Sequence, residues 1–377
     1  MINDKDYRIC SRCIMDTTDA DIFFDEEGVC NHCHQHDRAY ADLVPKGLEA
    51  EKQLSTLINR IKEKGKGKKY DCIIGLSGGV DSTYVALLVK KLGLRPLAVH
   101  LDNGWDSELA VKNVENIVTK LNIDLYTIVI NWEEFKDLQL AYLKAGVVDL
   151  EVTSDHAIFA SLYKLAKENN ISFVISGTNV TTESIMPKTW YYGKKDDLVN
   201  LKDIYHKYGS GRKLRTYPTQ GFLKLLYFNL FHKLETVSIL NYVPYVKSEI
   251  KEIIKKELGW KDYGGKHHES VITKFYQSYI LPKRFGIDKR RAHLSNLICS
   301  GQITREEALL EIQKPLYSSP FELEKDIEYI IKKFGISRME FDAIMNAPIN
   351  KHEDFKTDSW MRNIFYSSVR KYKMIKA

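Results

Sequence analysis

Nine prolines, six cysteines and five tryptophans in 377 residues rule out a proline-rich linker protein and a disulfide-built scaffold. No apolar run approaches the roughly 20 residues a membrane-spanning helix needs. The most apolar stretch, GFLKLLYFNLF at 221–231, is short, carries a lysine and is expected to be a core helix. The N-terminal MINDKDYRIC lacks the apolar segment of a secretory signal, so a cytoplasmic protein with reduced thiols is expected. Neither sign of charge dominates: 56 basic minus 50 acidic residues leaves +6. That excess suits an anionic small substrate and is too weak to indicate nucleic acid. Two phosphate-binding signatures, G-x-x-x-x-G-K-[ST] and G-x-G-x-x-G, are missing.

Four of the six cysteines lie near the start, as Cys10-x-x-Cys13 and Cys30-x-x-Cys33. Two such pairs suit a tetrahedral Zn²⁺ site, and a segment this short would draw its folding energy from the metal. Four thiolates leave no open coordination position, so the expected zinc is structural. His32, His34 and His36 crowd the second pair and are expected in supporting or solvent roles.

After a helical stretch and the breaker-rich KEKGKGKKY, strand and helix patterns alternate. YDCIIGLS, PLAVHLDNG, DLYTIVIN and ISFVISGT read as strands; residues 82–92, 107–121, 133–143 and a segment capped by Ser154 read as helices. Near-continuous apolar strands separated by helices predict an α/β fold, a parallel sheet covered on both faces, with ligands beyond the strands' carboxyl ends. Those ends carry Ser77–Ser82, Asp102-Asn103-Gly104-Trp105 and Ser176-Gly177-Thr178-Asn179. The expected organisation is a zinc ribbon (1–45), a helical linker (46–69), an ATP-binding α/β domain (70–190) and a mostly helical substrate- and partner-binding region (191–377).

Ser77-Gly78-Gly79-Val80-Asp81-Ser82 stands where a strand becomes a helix. Gly78 and Gly79 let the backbone approach a ligand; successive N–H groups at a helix start, with the Ser77 and Ser82 hydroxyls, make a cradle for phosphate oxygens. SGGxDS after an apolar strand resembles the PP-loop of the ATP pyrophosphatases, which holds the pyrophosphate of ATP. The resemblance implies that Asp81 helps hold Mg²⁺, as hard cations favour carboxylate and phosphate oxygens. It also implies that Asp102 contacts the adenosine, that Gly177 and Thr178 lie near the α-phosphate or adenine, and that Glu183 is a second magnesium carboxylate. Helix capping or surface charge is the alternative for Asp102 and Glu183.

Further on, helical patterns dominate. YGGKHHES places two glycines before Lys266, His267, His268 and Glu269, as an anion loop leading into a helix with Glu269 in its first turn. Lys283, Arg284, Lys289, Arg290, Arg291 and His293 form a cationic run suited to diphosphate oxygens. The cysteine pairs, SGGVDS, YGGKHHES and FGIDKRRAHLSNLICSGQ together resemble the N-acetyl sugar amidotransferases of surface-polysaccharide and nonulosonic-acid pathways. What this implies is an enzyme that adenylates the acetamido oxygen of an activated N-acetyl sugar, such as a nucleotide sugar, and displaces AMP with ammonia. Asp81, Lys266, His267, His268, Glu269, Arg290 and His293 are the candidate catalytic residues, the histidines as bases by residue type alone. Cys72 sits within a strand and Cys299 in no glutaminase motif, so a separate glutaminase is the expected ammonia source. The alternative is a tRNA-thiolating PP-loop enzyme, which also joins zinc knuckles to this loop.

Overall fold

The computed structural model describes residues 7–265 and 269–376. The amino-terminal knuckle leads into α1 (Asn31–Leu43) and α2 (Gly47–Gly65). Alternation follows: β1 (Cys72–Gly75), α3 (Val80–Lys91), β2 (Pro96–Asp102), α4 (Glu108–Leu121), β3 (Asp124–Val129), α5 (Trp132–Ala145), α6 (Val152–Glu168) and β4 (Phe173–Ser176). Beyond these lie α7 (Val180–Glu183), α8 (Leu198–Tyr208), α9 (Phe222–Tyr227), β5 (Glu235–Ser238) and α10 (Lys247–Leu258). The remainder is α11 (Val271–Phe275), α12 (Arg290–Cys299), α13 (Arg305–Ile312), α14 (Pro320–Phe334), α15 (Arg338–Asn346) and α16 (Ser359–Lys376).

The five strands are parallel in the order β3-β2-β1-β4-β5. The chain winds outward from β1 to one side through β2 and β3, then to the other through β4 and β5. The order therefore reverses beside β1, and the crevice at its carboxyl end is the switch point where ligands bind in such sheets. Cys72, Ile73 and Ile74 of β1 are fully buried, as a central strand covered on both faces requires. One face packs on α2, α3, α4 and α10 through Ile61, Val85, Ile117 and Ile254; the other is covered by α6 through Leu162 and Leu165.

Three departures from the sequence reading have local causes. The sheet extends past residue 190, because ETVS at 235–238 pairs with β4; four residues between apolar helical patterns carry too little periodicity to be seen as a strand. The helix expected to be capped by Ser154 starts at Val152, and Ser154 instead accepts a hydrogen bond from Asn103 Nδ2 (3.2 Å). The segment 221–231 is only half core: Phe222 and Phe228 are buried, whereas Leu223, Leu230 and Phe231 are exposed. Among the described residues no helix is long and apolar enough to cross a membrane.

Candidate functional site

The loop after β1 is built around one glycine conformation. Gly78 has φ +80°, and a Cβ there would meet the Ala110 carbonyl oxygen at 2.8 Å. The α3 N-cap is Gly79, which has no side chain to cap the first turn, the part of a helix that suits an anion. Ser77 Oγ accepts the Gly79 N–H (3.2 Å) and contacts Ser82 Oγ (3.2 Å), which fixes both hydroxyls at the rim. Gly177, after β4, faces this loop: a Cβ would lie 3.2 Å from that of Asp81. Thr178 Oγ1 bonds Ser176 Oγ (2.9 Å) and Ser238 Oγ (3.0 Å). Gly78→Ala forces an L-residue into left-handed backbone against α4, and is expected to weaken ATP binding roughly ten- to a hundredfold by calorimetry, with a fall of a few degrees in melting temperature.

Residues distant in sequence clamp the loop from outside. Trp260 Nε1 donates to the Gly78 carbonyl (2.8 Å), and the Tyr245 hydroxyl donates to the Asp81 carboxylate. The Tyr263 oxygen lies by the Val80 N–H and the Glu269 carboxylate. Burial, then the neighbouring carboxylates, push both tyrosines far above their ordinary range, so both are proton donors. Sequence reasoning missed Tyr245 and Trp260, since neither sits in a recognisable motif.

Three cavities adjoin one another, and the loop lines two of them. The first, of about 350 Å³, lies between β1 and β4; Asp81, Glu183, Lys247 and Lys251 line it beside the apolar Ile158 and Leu162. Asp81 and Glu183 both line it, and two carboxylates beside a phosphate-binding loop are the donor type that Mg²⁺ takes. The second, of about 340 Å³, is formed by α12 and its surroundings, including Thr182, Lys247, Gln277, Lys289, Arg290 and His293. The third, of about 430 Å³, lies toward β2 and contains Ser77, Ser82, Val99, His100 and Leu101. Cavities one and three share Gly75, Ser77, Ser82, Ile158, Leu162 and Glu269; two and three share Gln277, Lys289 and His293; one and two share Lys247 and Gly265.

The expected site residues distribute unevenly over this junction. Ser77, Gly79, Asp81, Ser82, Gly177, Thr178, Glu183 and Glu269 line the first cavity, and His293 the other two. Asp102 lines none of the three; its carboxylate accepts the Gly104 N–H (2.9 Å), a turn cap. Glu269 precedes the α11 N-cap, Ser270, rather than lying in the first turn. Lys266, His267 and His268 lie outside the described residues. The cationic run separates by direction. Arg290 reaches the second cavity, yet its guanidinium binds Asp288 and the carbonyls of Lys314 and Ile312. Arg284 binds the carbonyls of Leu143, Ala347 and Pro348. Arg291 turns to the knuckle, bonding Ile14 O (3.0 Å) and pairing with Asp16 (2.9 Å). Lys289 instead brings a buried ammonium to the second and third cavities, paired with Glu151 (2.9 Å).

The amino-terminal knuckle is a separate centre. The sulfurs of Cys10, Cys13, Cys30 and Cys33 lie within 4.8 Å of one another, with contacts of 3.7–3.8 Å. A tetrahedron of ~2.3 Å zinc–sulfur bonds has edges of about 3.8 Å, so the set is compatible with Zn²⁺. His32 is held by Asp19 (2.6 Å) and His34 by Asp25 (2.7 Å). Cys299 reaches in from α12, its sulfur 3.7 Å from that of Cys33. Arg305 bonds the carbonyls of Cys10 and Cys13, each at 3.0 Å. The knuckle therefore anchors α12 and α13, the helices that carry and flank one wall of the second cavity.

Comparison with known proteins finds two matched regions. Residues 50–215 match the NAD synthase family, and residues 269–370 match the family of the LPS biosynthesis protein WbpG-like, C-terminal domain. An uncharacterized protein of Methanocaldococcus jannaschii is 23% identical over 316 residues, covering 81% of this chain and 93% of that one. Two shorter likenesses fall on parts of larger proteins. The probable mitochondrial tRNA-specific 2-thiouridylase 1 of Caenorhabditis elegans is 29% identical, over 29% of this chain and 33% of that protein. A glutamine-hydrolyzing GMP synthase of Pyrobaculum aerophilum is 35% identical, over 27% of this chain and 19% of that protein.

Proposed function

We propose that the chain, matched over residues 50–215 by the NAD synthase family and over 269–370 by the WbpG-like C-terminal domain, is a PP-loop amidotransferase that converts the acetamido group of an activated N-acetyl sugar into an acetamidino group, using ATP and ammonia, for surface-glycan biosynthesis. The observation that supports this reading is the junction of cavities: the cavity lined by the glycine-rich loop adjoins, through Lys247 and Gly265, a second cavity lined mostly by residues of the WbpG-like region.

In this mechanism the ATP phosphates lie on the Ser77–Ser82 loop and the adenosine against Val99–Leu101 of β2. The sugar occupies the second cavity, with Lys289 as the cation nearest its charged carrier. The acetamido oxygen attacks the α-phosphorus, and the bond to pyrophosphate breaks. Loss of the amide N–H proton leaves an O-adenylated imidate, with His293 the candidate to take that proton. Ammonia adds to the imidate carbon, and cleavage of its bond to oxygen releases AMP and the amidine. Loop N–H groups, Lys247 and Lys251 stabilise charge gathering on pyrophosphate. Asp81 and Glu183 would hold Mg²⁺, which supplies further positive charge there. Orientation and electrostatics account for the rate without a covalent enzyme intermediate.

None of the six cysteines lines the three cavities: four form the knuckle, Cys72 is buried in β1 and Cys299 lies against Cys33. This weighs against thiolation, which needs sulfur chemistry at the crevice, and supports a separate glutaminase as ammonia donor. The test is incubation with ATP, Mg²⁺, a high concentration of ammonium and candidate N-acetylated nucleotide sugars, without any partner protein. The expected product has carbonyl oxygen replaced by nitrogen, with AMP and pyrophosphate formed in equal amount. ADP formation, or thiolated nucleoside when tRNA and a sulfur donor are supplied, would overturn the proposal.

A further inference from the structure

The half-buried segment 221–233 and the carboxy-terminal α16 form a surface that the reaction does not use. α9, continued by a wider helical turn (Phe228–His232), packs inward through two aromatics. Phe228 meets Tyr163 of α6 (centroids 5.7 Å), and Phe222 meets Phe365 of α16 (5.8 Å). The outward side is apolar: Leu223 is 68% exposed, Leu230 60% and Phe231 70%, while α16 adds Trp360 at 63% and Ile364 at 61%. Single exposed hydrophobics are ordinary, but large side chains grouped on two touching helices mark an interaction surface.

The two segments that form this surface carry no acid of their own. Neither 221–234 nor 359–376 contains an aspartate or glutamate, and both carry lysine. Lys167 stands over the Tyr227 ring (5.4 Å). The acids adjoining in the chain are already paired: Glu168 with Lys164 (3.9 Å), Glu235 with Arg60 (2.6 Å) and Asp358 with Arg362 (2.6 Å). Protein–protein interface cores are depleted in lysine, whereas bulky apolar side chains bordered by lysines match the headgroup–acyl boundary of an anionic bilayer. We propose that α9 and α16 seat the protein on an anionic membrane surface without spanning it. Leu223, Leu230, Phe231, Trp360 and Ile364 enter the boundary, and Lys224 and Lys233 meet lipid phosphates.

The experiment is co-sedimentation of the full chain with vesicles of phosphatidylcholine alone or mixed equally with phosphatidylglycerol. Binding is expected to the mixed vesicles only, to weaken as salt is raised, and to fall about tenfold or more in Leu230→Glu/Phe231→Glu. Both positions are exposed, so the variant should melt like wild type and retain pyrophosphate release. A second variant, Lys224→Glu/Lys233→Glu, should lose the preference for phosphatidylglycerol. No binding to the mixed vesicles, equal binding to both kinds, or undiminished binding by Leu230→Glu/Phe231→Glu would overturn the proposal. So would a wild-type dimer that the apolar double variant converts to monomer, which would assign the surface to a second copy.

Discussion

Asp81→Asn is expected to lower the rate of pyrophosphate release about 10²–10³-fold while leaving the melting temperature near that of wild type. Asparagine keeps the shape and can still accept the Tyr245 hydroxyl, so the clamp on the loop survives. What disappears is the negative charge that, with Glu183, makes the first cavity a site for a hard cation between phosphates. The loss should therefore fall on kcat and on the Mg²⁺ concentration required, with a smaller effect on ATP affinity, which the loop N–H groups largely provide. Unchanged turnover would remove Asp81 from the magnesium site. Tyr245→Phe is the control: it removes the donor but keeps the carboxylate, and should shift the Mg²⁺ requirement far less.

The second large effect is on stability. Cys10→Ser is expected to cost about 3 kcal/mol or more and to abolish stoichiometric zinc, with a fall of several degrees in melting temperature. Cys10 is fully buried, and its sulfur accepts N–H groups from Arg12 (3.4 Å), Cys13 (3.4 Å) and Cys30 (3.2 Å), a network that suits a metal-bound thiolate. The knuckle also receives Arg305 and Arg291, and Ser295 Oγ accepts the Ile14 N–H (3.2 Å). Its loosening should release α12 and α13 together, seen as a hydrogen-exchange change shared by the knuckle and those helices. Activity should fall in step with that release and no further. Loss of activity with an unchanged melt would mean that the centre takes part in the chemistry.

Much of this was legible in the chain itself. SGGVDS and the two C-x-x-C pairs are short contiguous units whose geometry follows from local turns, and the apolar strands followed by helices made a parallel sheet the one economical packing. The basic run was less legible. Arg284, Arg290 and Arg291 are of one residue type with Lys289 between them, and nothing local distinguishes an arginine that binds carbonyls from a lysine facing a cavity. Asp102 shows the same ambiguity, since a carboxylate at a strand end caps a turn as readily as it meets a ligand.

By itself the sequence determined the first four strands and the helices between them, the phosphate loop and the four clustered thiols, because each depends on neighbours a few residues apart. Tertiary structure alone decided strand order, the fifth strand and the junction of three cavities. Its decisive contacts join Asp81 to Tyr245, Gly78 to Trp260 and Glu151 to Lys289, across separations of 164, 182 and 138 residues. Such pairs leave no periodicity in the chain; they exist only once burial of the helical faces has brought those segments together.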